Sequence, residues 1–234
     1  MEQKTVVISS PEAKKQAHAR RRRRKRKLLW GRVGLVCICL SVAVGAILLP
    51  RAFQKDADGS DHAEVIPASD ITMPDWVTQA LLPVNPYSRP GAALTAVNGF
   101  VVHNTGNPGT TAEQNRDYFA SLAETGATSA SSQFIIGIDG EILQCVPLDE
   151  VAYASNSRND DTLSIEVCHT DETGEFSDAA YQSLVRLLSW LCDTYSLSTD
   201  TIIRHGDIIA KDCPKYYMNN PDEWEYLLKD VANY

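Results

Sequence analysis

His205 and Cys213 stand eight residues apart in "RHGDIIAKDCP", with Lys211 between them. A thiol in such a polar loop can join a disulfide, act as a nucleophile with the imidazole as its base, or bind a metal as thiolate. His103 offers a third donor, because it ends the apolar run "GFVV" where a strand side chain emerges at a sheet edge. Two imidazoles and a thiolate from separated strand ends would make a three-ligand zinc set with a fourth position open for water. Spacing alone does not bring His103 to the other two. Each residue taken singly has a plainer role, a capped histidine or a core thiol. No HExxH sequence occurs, so a zincin-type peptidase is not supported.

The elements that must position these residues follow from hydrophobic period and turn chemistry. "VNGFVVHNT" and "TLSIEVCHT" read as apolar strands ending in polar residues. "SQFIIGIDGEILQCVP" reads as a hairpin turning at Asp139-Gly140. "TTAEQNRDYFASLAE" is an amphipathic helix capped by Thr110 or Thr111, and "SDAAYQSLVRLLSWLCDTYS" a long helix capped by Ser177. "TIIRH" is a short strand and "PDEWEYLLKDVA" a closing helix. "PDWVTQALL" is expected to be a short helix started by Pro74-Asp75. Strands and helices alternate around one core, so the expected fold is α/β (α+β), one domain with a central mixed sheet flanked by helices.

Composition divides the chain of 234 residues. Residues 1–58 carry 14 Lys and Arg against 4 Asp and Glu, and the remainder 8 against 26. The basic block alone would suit a nuclear signal or a nucleic-acid arm. It directly abuts residues 33–50, which carry no charge. As a helix these would span about 27 Å, close to the ~30 Å hydrocarbon core. The block therefore reads as the positive-inside flank of a membrane anchor, and no nucleic-acid partner is expected. A cleaved signal peptide fits less well, because the basic region is long. The expected organisation is a cytoplasmic basic segment (1–27), a single-pass transmembrane signal anchor (28–50), a polar, acidic linker (51–69) and a domain outside the cytoplasm (70–234). Of the six cysteines, Cys37 and Cys39 fall in the apolar run. Cys145, Cys168 and Cys192 fall in regular elements as buried thiols, which argues against a disulfide framework.

"VVHNTG", "SIEVCH" and "RHGDIIAKDCP" together resemble the zinc N-acetylmuramoyl-L-alanine amidases of the type-2 family, which includes T7-lysozyme-like amidases and peptidoglycan recognition proteins. The matching order is His103-Asn104-Thr105, Asp139-Gly140 at the hairpin, Asn159 seven residues before Glu166, then His205, Lys211, Cys213 and Pro214. The resemblance covers roughly residues 75–230. It implies that His103, His205 and Cys213 bind Zn2+, that Glu166 is the acid/base, and that Lys211 acts beside the metal on the developing oxyanion. Asn104 and Asn159 are expected to contact substrate. The implied reaction is hydrolysis of the amide between N-acetylmuramic acid and L-alanine in peptidoglycan. A membrane-tethered domain facing the cell wall, as in a Gram-positive bacterium, suits that substrate. Two alternatives stay open: a non-catalytic peptidoglycan-binding module of the same fold, and a thiol amidase using Cys213 with His205. Some relatives have a catalytic tyrosine where this chain has Ser132, and many have histidines at Gln133 and Ala154. His169 reads as a structural or rim residue.

Overall fold

A computed structural model describes residues 64–234. The expected basic segment, the expected membrane span and residues 51–63 of the expected linker lie outside the described residues. Among the described residues, no helix is long and apolar enough to cross a membrane.

Among the described residues, six strands form one mixed sheet: β1 (Val77–Gln79), β2 (Phe100–Asn104), β3 (Phe134–Ile136), β4 (Ile142–Gln144), β5 (Leu163–Val167) and β6 (Ile202–Arg204). Their order across the sheet is β1-β4-β3-β5-β2-β6. β6, β2, β5 and β3 run parallel, β4 returns antiparallel to β3, and β1 runs parallel to β4. The hairpin forms where Asp139-Gly140 predicts it. Gly137 N donates to Glu141 O across the turn, and Gly140 takes the left-handed φ of 92° that a glycine adopts without a Cβ penalty.

Because strand side chains alternate, each strand serves two faces. Phe100 and Val102 of β2, Phe134 and Ile136 of β3, and Leu163, Ile165 and Val167 of β5 enter the larger core. There they meet Ala180, Leu184, Leu187, Leu188 and Leu191 of helix α2 (Asp178–Tyr195), and Trp224, Leu227 and Val231 of the last helix (Pro221–Ala232). Full burial of each large side chain contributes roughly 1.5–3 kcal/mol. Ile135 and Leu143 point to the opposite face. Ala112 and Phe119 of helix α1 (Ala112–Thr125) pack there with Cys145 and Cys168.

The caps are those the sequence offers. Thr111 forms a capping box with Gln114, and Ser177 Oγ accepts from Ala180 N while donating to Ile138 O. The last capping bond also ties the start of α2 to the hairpin.

Two expectations change. The stretch around Val77 is strand β1, not a helix: three residues gain a parallel partner in β4, and a helix this short is marginal without packing. The linker boundary also moves. Val65 and Ile66 pack against the larger core, and Ala68 N donates to Asp149 Oδ2 at 2.9 Å, so the packed region begins ahead of residue 70.

Candidate metal centre

β2 and β5 pair in parallel with His103 opposite Glu166. Paired residues of neighbouring strands share a face, about 4.8 Å apart. Val102, Ile165 and Val167 point to the larger core, so His103 and Glu166 project together on the other side. β6 lies on the far flank of β2 and ends at Arg204. His205 opens the helical turn α3 (His205–Ile208) that follows immediately.

The loop after α3 then folds back. Gly206 N donates to Cys213 O at 2.7 Å, which brings the cysteine beside the start of its own loop. A Cβ on Gly206 would lie 2.5 Å from Lys211 O and from Met218 Cε. Only glycine allows this close approach. From the other side, Asn104 Oδ1 accepts from Lys215 N at 2.7 Å, at the start of helix α4 (Lys215–Asn219). The end of β2 is thereby pinned to the chain just beyond Cys213.

His103, His205 and Cys213 are all buried, and their ligand atoms lie within 4.8 Å of one another. Cys213 Sγ is 3.9 Å from His103 Nδ1, and the two imidazole centroids are 4.5 Å apart. The Nε2 atoms face outward from this group: His103 Nε2 lies 3.4 Å from Ser155 Oγ, and His205 Nε2 lies 2.7 Å from Asn156 Oδ1. His205 Nδ1 is buried without any hydrogen-bond partner. A bare buried nitrogen costs about 1–3 kcal/mol unless something fills its lone pair. Two imidazole nitrogens and a sulfur at this separation suit a tetrahedral, borderline-soft cation.

Electrostatics favour the ligating forms of the imidazoles. Burial, with the neighbouring His205 and Lys211, holds His103 well below the usual histidine range. Burial and then Lys211 lower His205 to about 4. Both rings are neutral near pH 7, as ligation requires. Burial pushes the Cys213 thiol up to about 12, with Glu166 adding to the rise, while the Asn104 backbone N–H and Lys211 oppose it. Without a cation to displace its proton the thiol is a poor nucleophile, which weighs against a Cys213–His205 dyad.

Glu166 Oε2 is buried and unpartnered. Burial raises its carboxyl to about 8, against the pull of Lys211. Lys211 itself is exposed at the rim, where its charge acts on His103, His205, Glu166 and Cys213 alike.

The remaining expected positions have bonds within the fold. Asn104 donates to Thr105 O besides holding Lys215. Asn159 Oδ1 accepts from Ala154 N and Ser155 N at 3.1 and 2.6 Å. His169 lies 2.8 Å from both Thr105 O and Asp171 O, a structural position. Ser132 Oγ donates to Phe134 O, and Gln133 bridges Ser164 to Glu150 O. Sequence reasoning passed over Ser155, Asn156 and Gly206. The signals available were a polar run after the hairpin and a glycine directly behind a ligand candidate.

Residues 93–216 match the family model described as N-acetylmuramoyl-L-alanine amidase. The chain belongs to the type-2 N-acetylmuramoyl-L-alanine amidase family. All the ligand candidates, Glu166 and Lys211 lie within the matched residues. The chain is 30% identical over 167 residues to N-acetylmuramoyl-L-alanine amidase CwlL of Bacillus licheniformis, covering 66% of this chain and 46% of that protein. It is 29% identical over 168 residues to the amidase BlyA of Bacillus subtilis, covering 63% and 44%. It thus spans about half the length of the curated relatives it matches. Among solved structures it is similar to the catalytic domain of XlyA, with a TM-score of 0.56 and 25% identity over 66% of this chain and 98% of that one. The fold of PlyL is also similar, with a TM-score of 0.57 at 20% identity.

Proposed function

We propose that the chain is a zinc-dependent amidase that cleaves the bond between the lactyl carbonyl of N-acetylmuramic acid and L-alanine in peptidoglycan. The observation that carries this reading is the buried triangle of His103, His205 and Cys213, with a bare His205 Nδ1. The relatives named as N-acetylmuramoyl-L-alanine amidases support the substrate.

His103 and His205 would hold Zn2+ through Nδ1, and Cys213 through Sγ. Zn2+ bound there supplies Lewis acidity and makes water a nucleophile near neutral pH. Glu166 takes a proton from the attacking water and returns it to the departing L-alanine nitrogen. Its Oε2 is enclosed without a partner on the same face of the sheet as His103, so it is free for both transfers. Lys211 directs its cation at the carbonyl oxygen as negative charge develops. Asn104 holds the chain just beyond Cys213, and Asn159 holds the loop behind the two imidazoles. Glu166, whose Oε2 is enclosed and unspent, weighs against a module that only binds peptidoglycan.

We propose further that residues 28–50 anchor the chain in a membrane, with residues 1–27 cytoplasmic and the amidase domain facing the wall. The 14 Lys and Arg of residues 1–58 beside the uncharged run support that orientation. Protease added to wall-stripped cells should digest the domain and spare the amino-terminal segment, and a protected domain would contradict the orientation.

The reaction is tested by incubating the full-length chain with purified peptidoglycan and following new L-alanine amino termini by mass spectrometry. Chelation should stop their release and zinc should restore it. Peptidoglycan binding without any release would instead favour the binding module.

A further inference from the structure

Both imidazoles of the metal centre are gripped from behind by consecutive residues of one loop. Asn156 Oδ1 lies 2.7 Å from His205 Nε2. A carboxamide oxygen only accepts, so this bond requires the His205 proton on Nε2 and leaves Nδ1 bare. That is the nitrogen buried without a partner. Ser155 Oγ lies 3.4 Å from His103 Nε2 and can accept in the same sense. The opposite nitrogen, His103 Nδ1, then turns its lone pair to Cys213 Sγ, 3.9 Å away.

The loop is built to hold this pose. Asn159 Oδ1 accepts from Ala154 N and Ser155 N, Arg158 N donates to Ser155 O at 3.0 Å, and Thr162 Oγ1 donates to Arg158 O at 2.6 Å. Asn156 has a φ of 55°, in the left-handed region that asparagine enters more readily than most non-glycine residues.

We infer that Ser155 and Asn156 are positioning residues of the metal centre, fixing His103 and His205 as Nε2–H tautomers with both Nδ1 lone pairs aimed at the ligand triangle. This rests on the metal reading of that triangle. Histidine ligands are commonly oriented through their distal N–H, and losing that support costs 10–100-fold in metal affinity. Asn156 should contribute more than Ser155, because its contact is the shorter.

The test uses the full-length chain and zinc alone, with affinity measured by competition against a chromogenic chelator. Asn156→Gly removes the carboxamide yet keeps left-handed freedom, so the metal-free melting temperature should not change. Zinc affinity should fall about 10–100-fold. Asn156→Asp restores an acceptor at the same reach and should recover most of that loss. Ser155→Ala should weaken zinc by a smaller factor. Unchanged affinity in Asn156→Gly, with the parent chain binding zinc, would overturn this inference and leave the metal reading standing. So would a loss of affinity that tracks a lower metal-free melting temperature and is not rescued by Asn156→Asp. A parent chain that takes up no zinc would overturn both.

Discussion

The two faces of the sheet use the same strands for opposite ends. On the face toward α2, β2 and β5 present Phe100, Val102, Leu163, Ile165 and Val167, all fully buried and apolar. On the other face the same strands present Val101, but also His103, Ser164 and Glu166. The first face satisfies every rule of burial. The second leaves Glu166 Oε2 and His205 Nδ1 enclosed without partners, a cost a folding core would not retain. The apolar face thus supplies the stability against which the polar face can hold unspent groups. Alternation along a strand keeps the two functions one residue apart.

The largest effects should follow from changes to the polar face alone. Glu166→Gln keeps size and most hydrogen bonding but cannot take a proton. Turnover should fall by about 10²–10⁴ with zinc content retained, as read by muropeptide release beside metal analysis. Near-normal release would remove Glu166 from the chemistry. Lys211→Ala should lower kcat by about 10²–10³ with little change in bound zinc. A parental kcat would mark it as a surface lysine.

The converse change cuts into the apolar face. Leu187, wholly buried on α2, should cost about 2–5 kcal/mol of stability on replacement by alanine. Activity per folded molecule should persist, measured by denaturant melts and by assays well below the transition. A kcat that falls in step with stability would show that the faces are not separable. The smallest expected effect lies in the helical turn that opens with His205. Gly206→Ala must push both Lys211 O and Met218 aside, and zinc affinity should drop by about tenfold, the size of lost outer-sphere support.

Much of this architecture is legible in the sequence because local rules carry it. The Asp139-Gly140 turn, the Thr111 and Ser177 caps, and the 3.6-residue period of α2 each act over a few residues, and all appear where expected. β1 is not legible, because a three-residue strand is decided by its partner β4, far along the chain. The ligand candidates are legible as a pattern, but their convergence is not. Nothing local in "RHGDIIAKDCP" states that Gly206 N bonds to Cys213 O, and nothing in "VVHNT" states which strand lies beside it. Ser155 and Asn156 escape for the same reason. Their importance resides in two imidazoles from distant segments, and a lone polar dipeptide after a hairpin carries no such mark.

If His103, His205 and Cys213 form one metal centre, Cys213 serves it as a thiolate ligand. Titrating the metal-free full-length chain with cobalt(II), and recording its near-ultraviolet absorption, tests this most directly. Binding should saturate at about one ion per chain, the single site that such a ligand set makes, with a sulfur-to-cobalt charge-transfer band that disappears in Cys213→Ser. Saturable binding without that band, or no binding at all, would contradict it.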